Sequence, residues 1–147
     1  MIADELMTTV MGLKRVVRRR MEVGRPEPRL RGAHTELLRV VRGNPGIGVA
    51  AAAKELHLAG NTVSTLVNQL IDKELLRRET DPDDRRAARL YLTPKAVKRQ
   101  AKWREDRTKL VEGALKELNA RERAAIEKAL PALRKLLDEL GGEGTGA

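Results

Sequence analysis

A run of short polar side chains between Asn61 and Lys73 carries the most suggestive chemistry in this sequence. On a helical wheel, Val63, Leu66, Val67 and Leu70 share one face. The opposite face carries Asn61, Thr62, Thr65, Asn68, Gln69 and Asp72. Asn and Gln pair with two atoms of adenine at once, and Thr offers a hydroxyl and a methyl group to thymine. The other helical patterns in the chain carry Glu, Lys and Arg instead, so this face indicates base reading in double-stranded DNA, with a merely solvated face as the alternative.

A polar loop with flanking arginines is the second candidate. Thr80–Arg85 contains Asp-Pro followed by Asp-Asp, a strong turn signal between two predicted strands. Arg85 and Arg86 lie just past its tip, and Arg77, Arg78 and Arg89 lie on the strands. An arginine at a hairpin tip can enter a minor groove or bind phosphate. An ordinary charged hairpin is the alternative, to which the acids of the loop lend weight: Glu79, Asp81, Asp83 and Asp84.

Short helices and strands must position these two groups. Val49–Leu56 and Asn61–Lys73 are separated only by His57–Gly60, which predicts a helix-turn-helix. The hairpin that follows is predicted to pair Leu75–Glu79 with Arg86–Leu92. A preceding helix is predicted over Arg29–Arg42, between the breaker Gly24–Pro28 and the turn Gly43–Gly46. Its predicted inward residues are Leu30, Ala33, Leu37, Leu38 and Val41.

The two ends of the chain each carry an apolar helical stripe. A helix is predicted over residues 3–21, with Leu6, Val10, Leu13 and Val17 in line. Thr93-Pro94 predicts the start of a long helix to about Leu118, and Asn119–Glu122 resembles a capping box. The last helix carries Ile126, Leu130, Leu133, Leu137 and Leu140, with a kink expected at Pro131. Because large aromatic core residues are nearly absent, we expect these stripes to be buried against a second copy of the chain.

These patterns predict a mainly α fold with a small β-hairpin wing. We expect one domain over 1–147, with a winged helix-turn-helix lobe at 29–93, dimerisation helices at 1–22 and 94–140, and a disordered tail at 141–147.

The net charge and the residue types present limit the classes of function that this chain can have. The net charge of +9 suits a polyanionic partner, although residues 43–93 hold 7 basic and 7 acidic residues, so net charge alone does not locate a DNA site. Two histidines and no cysteine exclude a thiolate metal site and predict neither metal nor cofactor. No arrangement of nucleophile, base or phosphate-binding loop indicates an enzyme.

No stretch is long and apolar enough to span a membrane, and the acidic N-terminus is unlike a signal peptide, which predicts a cytoplasmic protein.

The helix-turn-helix and hairpin segments resemble the MarR (multiple antibiotic resistance regulator) family. Residues 81–93, DPDDRRAARLYLT, are similar to its wing, with Asp84 and Arg86 followed by Leu92-Thr93. The stretch Thr62–Val67, which includes Ser64, resembles its recognition helix. The resemblance implies a dimer whose recognition helices enter major grooves and whose wings reach minor grooves. It also implies that Asp84 holds Arg86 in position.

Two departures from the family pattern concern the recognition helix. Ala59 stands where the family often has a capping Ser or Thr, and Glu74 stands where Gly usually precedes the first wing strand. Because Glu takes a left-handed backbone less readily than Gly, we expect a different turn there.

The resemblance further implies a pocket for a small anionic or aromatic ligand between the dimerisation helices and the DNA lobe. Its candidate lining is Met11, Arg15, His34, Leu38 and Trp103, with ordinary packing as the alternative. We therefore expect a sequence-specific regulator, most simply a repressor, that binds a pseudo-palindrome as a homodimer. The alternatives are a sequence-tolerant architectural DNA-binding protein and an interaction module that has lost DNA binding.

Overall fold

The protein is mainly helical with one small sheet. The computed structural model describes residues 1–23, 30, 32–84 and 87–142. Its helices are α1 (Ile2–Glu22), α2 (Gly32–Gly43), α3 (Val49–Leu56), α4 (Gly60–Asp72), α5 (Pro94–Leu115) and α6 (Ala120–Gly142). Its strands are β1 (Ile47–Gly48), β2 (Leu76–Thr80) and β3 (Ala88–Leu92). The chain divides into two compact units, Met1–Asp106 and Arg107–Ala147.

The apolar core lies in the first unit, where α2, α3 and α4 pack on one another and on the sheet. On α4, the predicted inward residues are all buried: Val63, Leu66, Val67 and Leu70. They meet Leu37, Leu38 and Val41 of α2, as the apolar spacing predicts. Ala33 was expected to face inward but is exposed, and its neighbour His34 is buried instead. Leu30 is buried as predicted, but it lies before the start of α2, which begins at Gly32 rather than at Arg29.

The hairpin is part of a three-stranded antiparallel sheet with the order β1-β3-β2. In the register of β2 and β3, Arg77 opposes Tyr91 and Arg78 opposes Leu90. The two-residue strand β1 was not predicted, because its Ile47-Gly48 pair is too short to show an alternating pattern. It pairs with β3 and so ties the wing to the start of α3.

Side-chain caps fix the beginnings of two helices, as predicted. The Thr93 hydroxyl accepts the backbone N–H of Ala96 at 3.2 Å at the start of α5. Before α6, Asn119 Oδ1 accepts the Glu122 N–H at 2.8 Å, and Glu122 Oε2 accepts the Asn119 N–H at 2.9 Å. This reciprocal pair is a capping box with Asn in the first position. The helix α6 continues through Pro131 and includes Gly141 and Gly142, so these two residues do not belong to a disordered tail.

The turn after α4 differs from our expectation. Glu74 adopts a left-handed conformation with φ 61°, and the Leu75 N–H donates to the Leu70 carbonyl at 2.9 Å. This is the Schellman pattern that normally uses glycine, so the prediction of a different turn is wrong. The Glu74 carbonyl accepts the Thr93 hydroxyl at 2.6 Å, which ties the turn to the start of α5.

A Glu74→Gly variant is expected to raise the free energy of unfolding by about 1 kcal/mol, because glycine relieves the left-handed strain. The exposed Lys95–Glu74 pair at 3.7 Å contributes little against this gain. Lys73→Gly is the matched control, because Lys73 has φ −84° and gains nothing from glycine. Denaturant titration would measure both variants. A Glu74→Gly protein that is less stable than wild type would contradict the strain argument.

The terminal helices expose apolar side chains. Neither α1 nor α6 has a buried residue. Met7, Val10, Met11, Leu13 and Val16 are exposed on α1, and Ile126, Leu130, Leu133, Leu136, Leu137 and Leu140 are exposed on α6. Among the described residues, no helix combines the length and apolar character that a membrane crossing requires.

Candidate nucleic-acid interface

The polar face of α4 is open to solvent. Asn61, Thr62, Thr65, Asn68 and Gln69 are exposed, and Ser64 is half-buried. The buried apolar face anchors the helix, so these side chains are presented by a rigid element. Ala59 precedes the helix without a side-chain cap, as the sequence predicts. The Thr65 hydroxyl donates to the Asn61 carbonyl at 3.0 Å, which leaves its methyl group and its oxygen lone pairs available.

The second half of this face is tied to the rest of the lobe. Asn68 Oδ1 accepts a hydrogen bond from Arg78 Nη2 of β2 at 2.9 Å. Gln69 Oε1 lies 2.7 Å from Nε2 of His34 on α2. The side-chain oxygens of Asn68 and Gln69 therefore already have protein partners. Within the described part of the chain, the side chains of Asn61 and Thr62 make no hydrogen bond. The face divides into a less engaged first half and an anchored second half.

Asp81 organises the wing turn. Its Oδ1 accepts the Asp83 N–H at 2.9 Å, and its Oδ2 lies 3.4 Å from Nη2 of Arg89. The Asp83 N–H and the charge of Arg89 hold the pKa of Asp81 below its ordinary value of 3.8, and the Asp81 charge raises the pKa of Arg89. The Asp81 N–H also donates to the Ala87 carbonyl at 3.0 Å. This carboxylate therefore shapes the turn and holds one predicted site arginine.

An Asp81→Asn variant is expected to unfold at a lower temperature than wild type near neutral pH. A carboxyl whose pKa is lowered by folding stabilises the protein above its ordinary pKa, and that contribution is lost as the pH falls through the folded-state pKa. The difference between variant and wild type should therefore shrink below about pH 4. Thermal unfolding at several pH values measures this. Asp83→Asn is the control in the same turn, and an equal effect there would contradict the role of Asp81.

The outer face of the hairpin is a cluster of paired charges around Tyr91. The Arg77 guanidinium lies over the Tyr91 ring, 4.5 Å from its centroid, and forms an ion pair with Glu79. These contacts fit the register, since Arg77 and Tyr91 are cross-strand partners. Arg77 and Arg89 are thus both held by acids of the wing, as the alternative of a charged hairpin anticipated.

The remaining predicted site residues are distributed as follows. Asp84 is exposed in the wing turn and its carbonyl accepts the Ala87 N–H at 3.0 Å. Arg85 and Arg86 lie outside the described residues, so the role of Asp84 toward Arg86 stays a prediction. Of the predicted pocket residues, His34 and Leu38 are buried, Trp103 is half-buried, and Met11 and Arg15 are exposed. The ligand pocket also stays a prediction.

Sequence reasoning missed three contacts: Asp81 with Arg89, Arg78 with Asn68, and His34 with Gln69. Only the first had a partial signal, because Asp before Pro is a frequent turn residue, which indicates a role for Asp81 in the turn but not its contact with Arg89. The other two join residues that are 10 and 35 positions apart and depend on tertiary packing. Within the described part of the chain, no three His, Asp or Glu side chains converge into a metal site.

The helix-turn-helix followed by a paired wing defines a winged helix-turn-helix protein, the class that the sequence predicts. Residues 30–87 match the MarR family model. A curated protein of Thauera aromatica, named "Putative transcriptional regulatory protein for hcr operon", is 36% identical over 66 residues. That match covers 45% of this chain and 40% of the relative, so the two proteins share less than half of their lengths.

Solved structures extend the likeness to nearly the whole chain. Streptococcus pneumoniae FabT, solved in complex with DNA, has a TM-score of 0.69 and 23% identity over 94% of this chain and 96% of that one. A MarR family protein from Bacillus stearothermophilus has a TM-score of 0.73 and 17% identity over 92% and 94%. Residues 30–87 therefore resemble the MarR family, and the chain has the fold of the solved MarR family protein. The name of the Thauera aromatica relative describes a transcriptional regulatory protein, the same class as the one predicted from this sequence.

Proposed function

We propose that this protein is a transcriptional regulator that binds a pseudo-palindromic operator in double-stranded DNA as a homodimer and represses transcription. One observation carries the proposal: the exposed Asn61, Thr62 and Thr65 stand on a helix whose opposite face is buried in the core. These side chains have the donors, acceptors and methyl groups that read base edges. In helix-turn-helix proteins, the N-terminal residues of the second helix contact bases.

The comparisons support DNA as the partner but do not identify the operator sequence. FabT, which shares the fold, was solved with DNA bound, and the Thauera aromatica relative is named for an operon. A sequence-tolerant architectural protein would rely on phosphate contacts alone. The exposed Asn and Thr side chains of α4, which can read base edges, therefore favour a reader of sequence. Such a regulator acts where the DNA lies, in the cytoplasm.

The homodimer part of the proposal rests on the terminal helices. Leu130, Leu133 and Leu137 are 40%, 38% and 69% exposed in the isolated chain, although they repeat on one face of α6. A repeated apolar face of this kind gains free energy when a second copy covers it. A twofold pair of recognition helices would then read two related half-sites.

Release by a small anionic or aromatic ligand belongs to the same proposal and rests on the family resemblance. A ligand that binds only the DNA-free form would lower the affinity for DNA by linkage. Titration of salicylate, a simple anionic aromatic probe, into the protein–DNA complex tests this part. No change in affinity at millimolar salicylate would contradict release by this ligand class.

Selection of bound duplexes from a random pool tests the proposal. A dimeric reader should enrich an inverted repeat whose half-site centres are about 10 base pairs apart or a multiple of that distance. A pool that remains random after several rounds, although the protein is folded, would contradict sequence-specific binding. A single unrepeated half-site would contradict the homodimer.

A further inference from the structure

His34 is a buried imidazole that faces the recognition helix. It is 7% exposed, and its Nε2 lies 2.7 Å from Oε1 of Gln69 on α4. Its Nδ1 is buried and has no hydrogen-bond partner within the described part of the chain. A buried nitrogen without a partner is costly, and an apolar residue of similar size would avoid that cost. Among the described residues, the contact with Gln69 is the only interaction that requires a histidine nitrogen at this position.

The chemistry of this contact fixes the roles of its atoms. An amide oxygen only accepts hydrogen bonds, so Nε2 of His34 carries the proton and donates it to Gln69. Gln69 is exposed as a residue, yet its oxygen is drawn toward the lobe. Its amide nitrogen, with two N–H groups, is left as the group available to an outside partner.

This arrangement changes what Gln69 can recognise. A free glutamine pairs with adenine through both atoms, accepting from the N6 amino group and donating to N7. Because His34 occupies one of the two lone pairs of this oxygen and draws it toward the lobe, the oxygen is a poorer acceptor for the adenine amino group. Guanine presents two acceptors, O6 and N7, in the same groove. A glutamine that presents mainly its amide N–H groups therefore suits guanine better than adenine.

We propose that His34 is a specificity-determining positioning residue: by holding the Gln69 oxygen, it makes Gln69 a donor that favours guanine over adenine. This inference rests on the proposed function, because it requires α4 to read DNA. His34 itself does not touch DNA and acts through Gln69.

The test compares base preferences in His34→Leu, which removes the donor and keeps a similar volume. Duplexes are selected from a random pool with wild type, His34→Leu and Gln69→Ala. The Gln69→Ala variant identifies the base pair that Gln69 reads. At that position, His34→Leu should shift the preference from guanine toward adenine by about fivefold or more, the range of one bidentate contact. His34→Gln, which restores an N–H donor, should return the preference toward that of wild type.

A double-mutant cycle separates this role from a purely structural one. With Gln69 already replaced by alanine, His34→Leu should leave the base preferences unchanged. A structural role alone would weaken binding to all sequences equally and would not shift any preference. An unchanged profile in the His34→Leu single variant, with a site selected by wild type, would overturn this inference and leave the proposed function standing. A wild-type protein that selects no site would overturn both.

A measurement on the wild-type protein does not depend on any variant folding. Long-range ¹H–¹⁵N correlation spectra of the imidazole should identify the tautomer protonated at Nε2. A His34 ring protonated at Nδ1 would place an acceptor toward Gln69, so the amide would be reversed and the inference would fail.

Discussion

A chain carrying both Leu130→Asp and Leu133→Asp is expected to sediment as a monomer and to lose about a hundredfold or more in affinity for the selected DNA site. The two leucines are 40% and 38% exposed on the apolar face of α6, where our proposal places a second copy of the chain. A carboxylate in such an interface loses its hydration and finds no compensating partner. Losing the dimer removes the second half-site, and linked sites commonly account for a factor of 10² to 10⁴, roughly.

Lys135→Asp is the matched control for this prediction. It changes the net charge by the same amount as the two leucine substitutions together, and a helical wheel places it opposite the leucine stripe. It should therefore leave the protein dimeric. Analytical ultracentrifugation at micromolar concentration measures both variants, with circular dichroism to check that each is folded. A folded wild-type monomer under these conditions would contradict the dimer.

An Asn61→Ala variant is expected to lose sequence preference at one or two base pairs in each half-site. Asn61 is exposed in the first turn of α4, and its side chain makes no hydrogen bond within the described part of the chain. One base-reading contact contributes about 1–3 kcal/mol, and a symmetric dimer makes it twice. We therefore expect a total loss of about 2–6 kcal/mol on the selected site, with much less on random DNA.

Asp72→Asn serves as the control for Asn61. Asp72 is the last residue of α4 and is exposed. Its substitution removes a negative charge and should leave the sequence preference unchanged. Fluorescence anisotropy on the selected site and on point variants of it measures both proteins. Equal weakening of Asn61→Ala on every duplex would mean that Asn61 contacts phosphate rather than bases.

The winged helix-turn-helix could be predicted from the sequence because its signals are local. The apolar spacing of Val63, Leu66, Val67 and Leu70 correctly gave the buried face of α4. Thr93-Pro94 and Asn119–Glu122 gave the starts of α5 and α6, since helix caps depend on a few consecutive residues. The strands of the wing were found to within two residues at each end, because Asp-Pro marks the loop between them.

The side-chain contacts that tie the recognition helix to its surroundings could not be predicted. The sequence predicts His34 only as a pocket residue, because its contact with Gln69 depends on the packing of α2 on α4. The contact of Asn68 with Arg78 depends on the register of the wing against α4. Glu74 shows a different failure: tertiary contacts at the turn, including the bond from Thr93, hold a residue in a conformation that its own propensity disfavours.

The central claim, that the polar face of α4 reads DNA sequence, is tested most directly by competition. A labelled duplex carrying the selected inverted repeat is bound by the wild-type protein and displaced by unlabelled repeat or by scrambled DNA at fixed salt concentration. A specific regulator should prefer its repeat by about a thousandfold or more. Displacement by scrambled DNA at equal concentrations, or no salt-dependent binding to any duplex, would contradict the account.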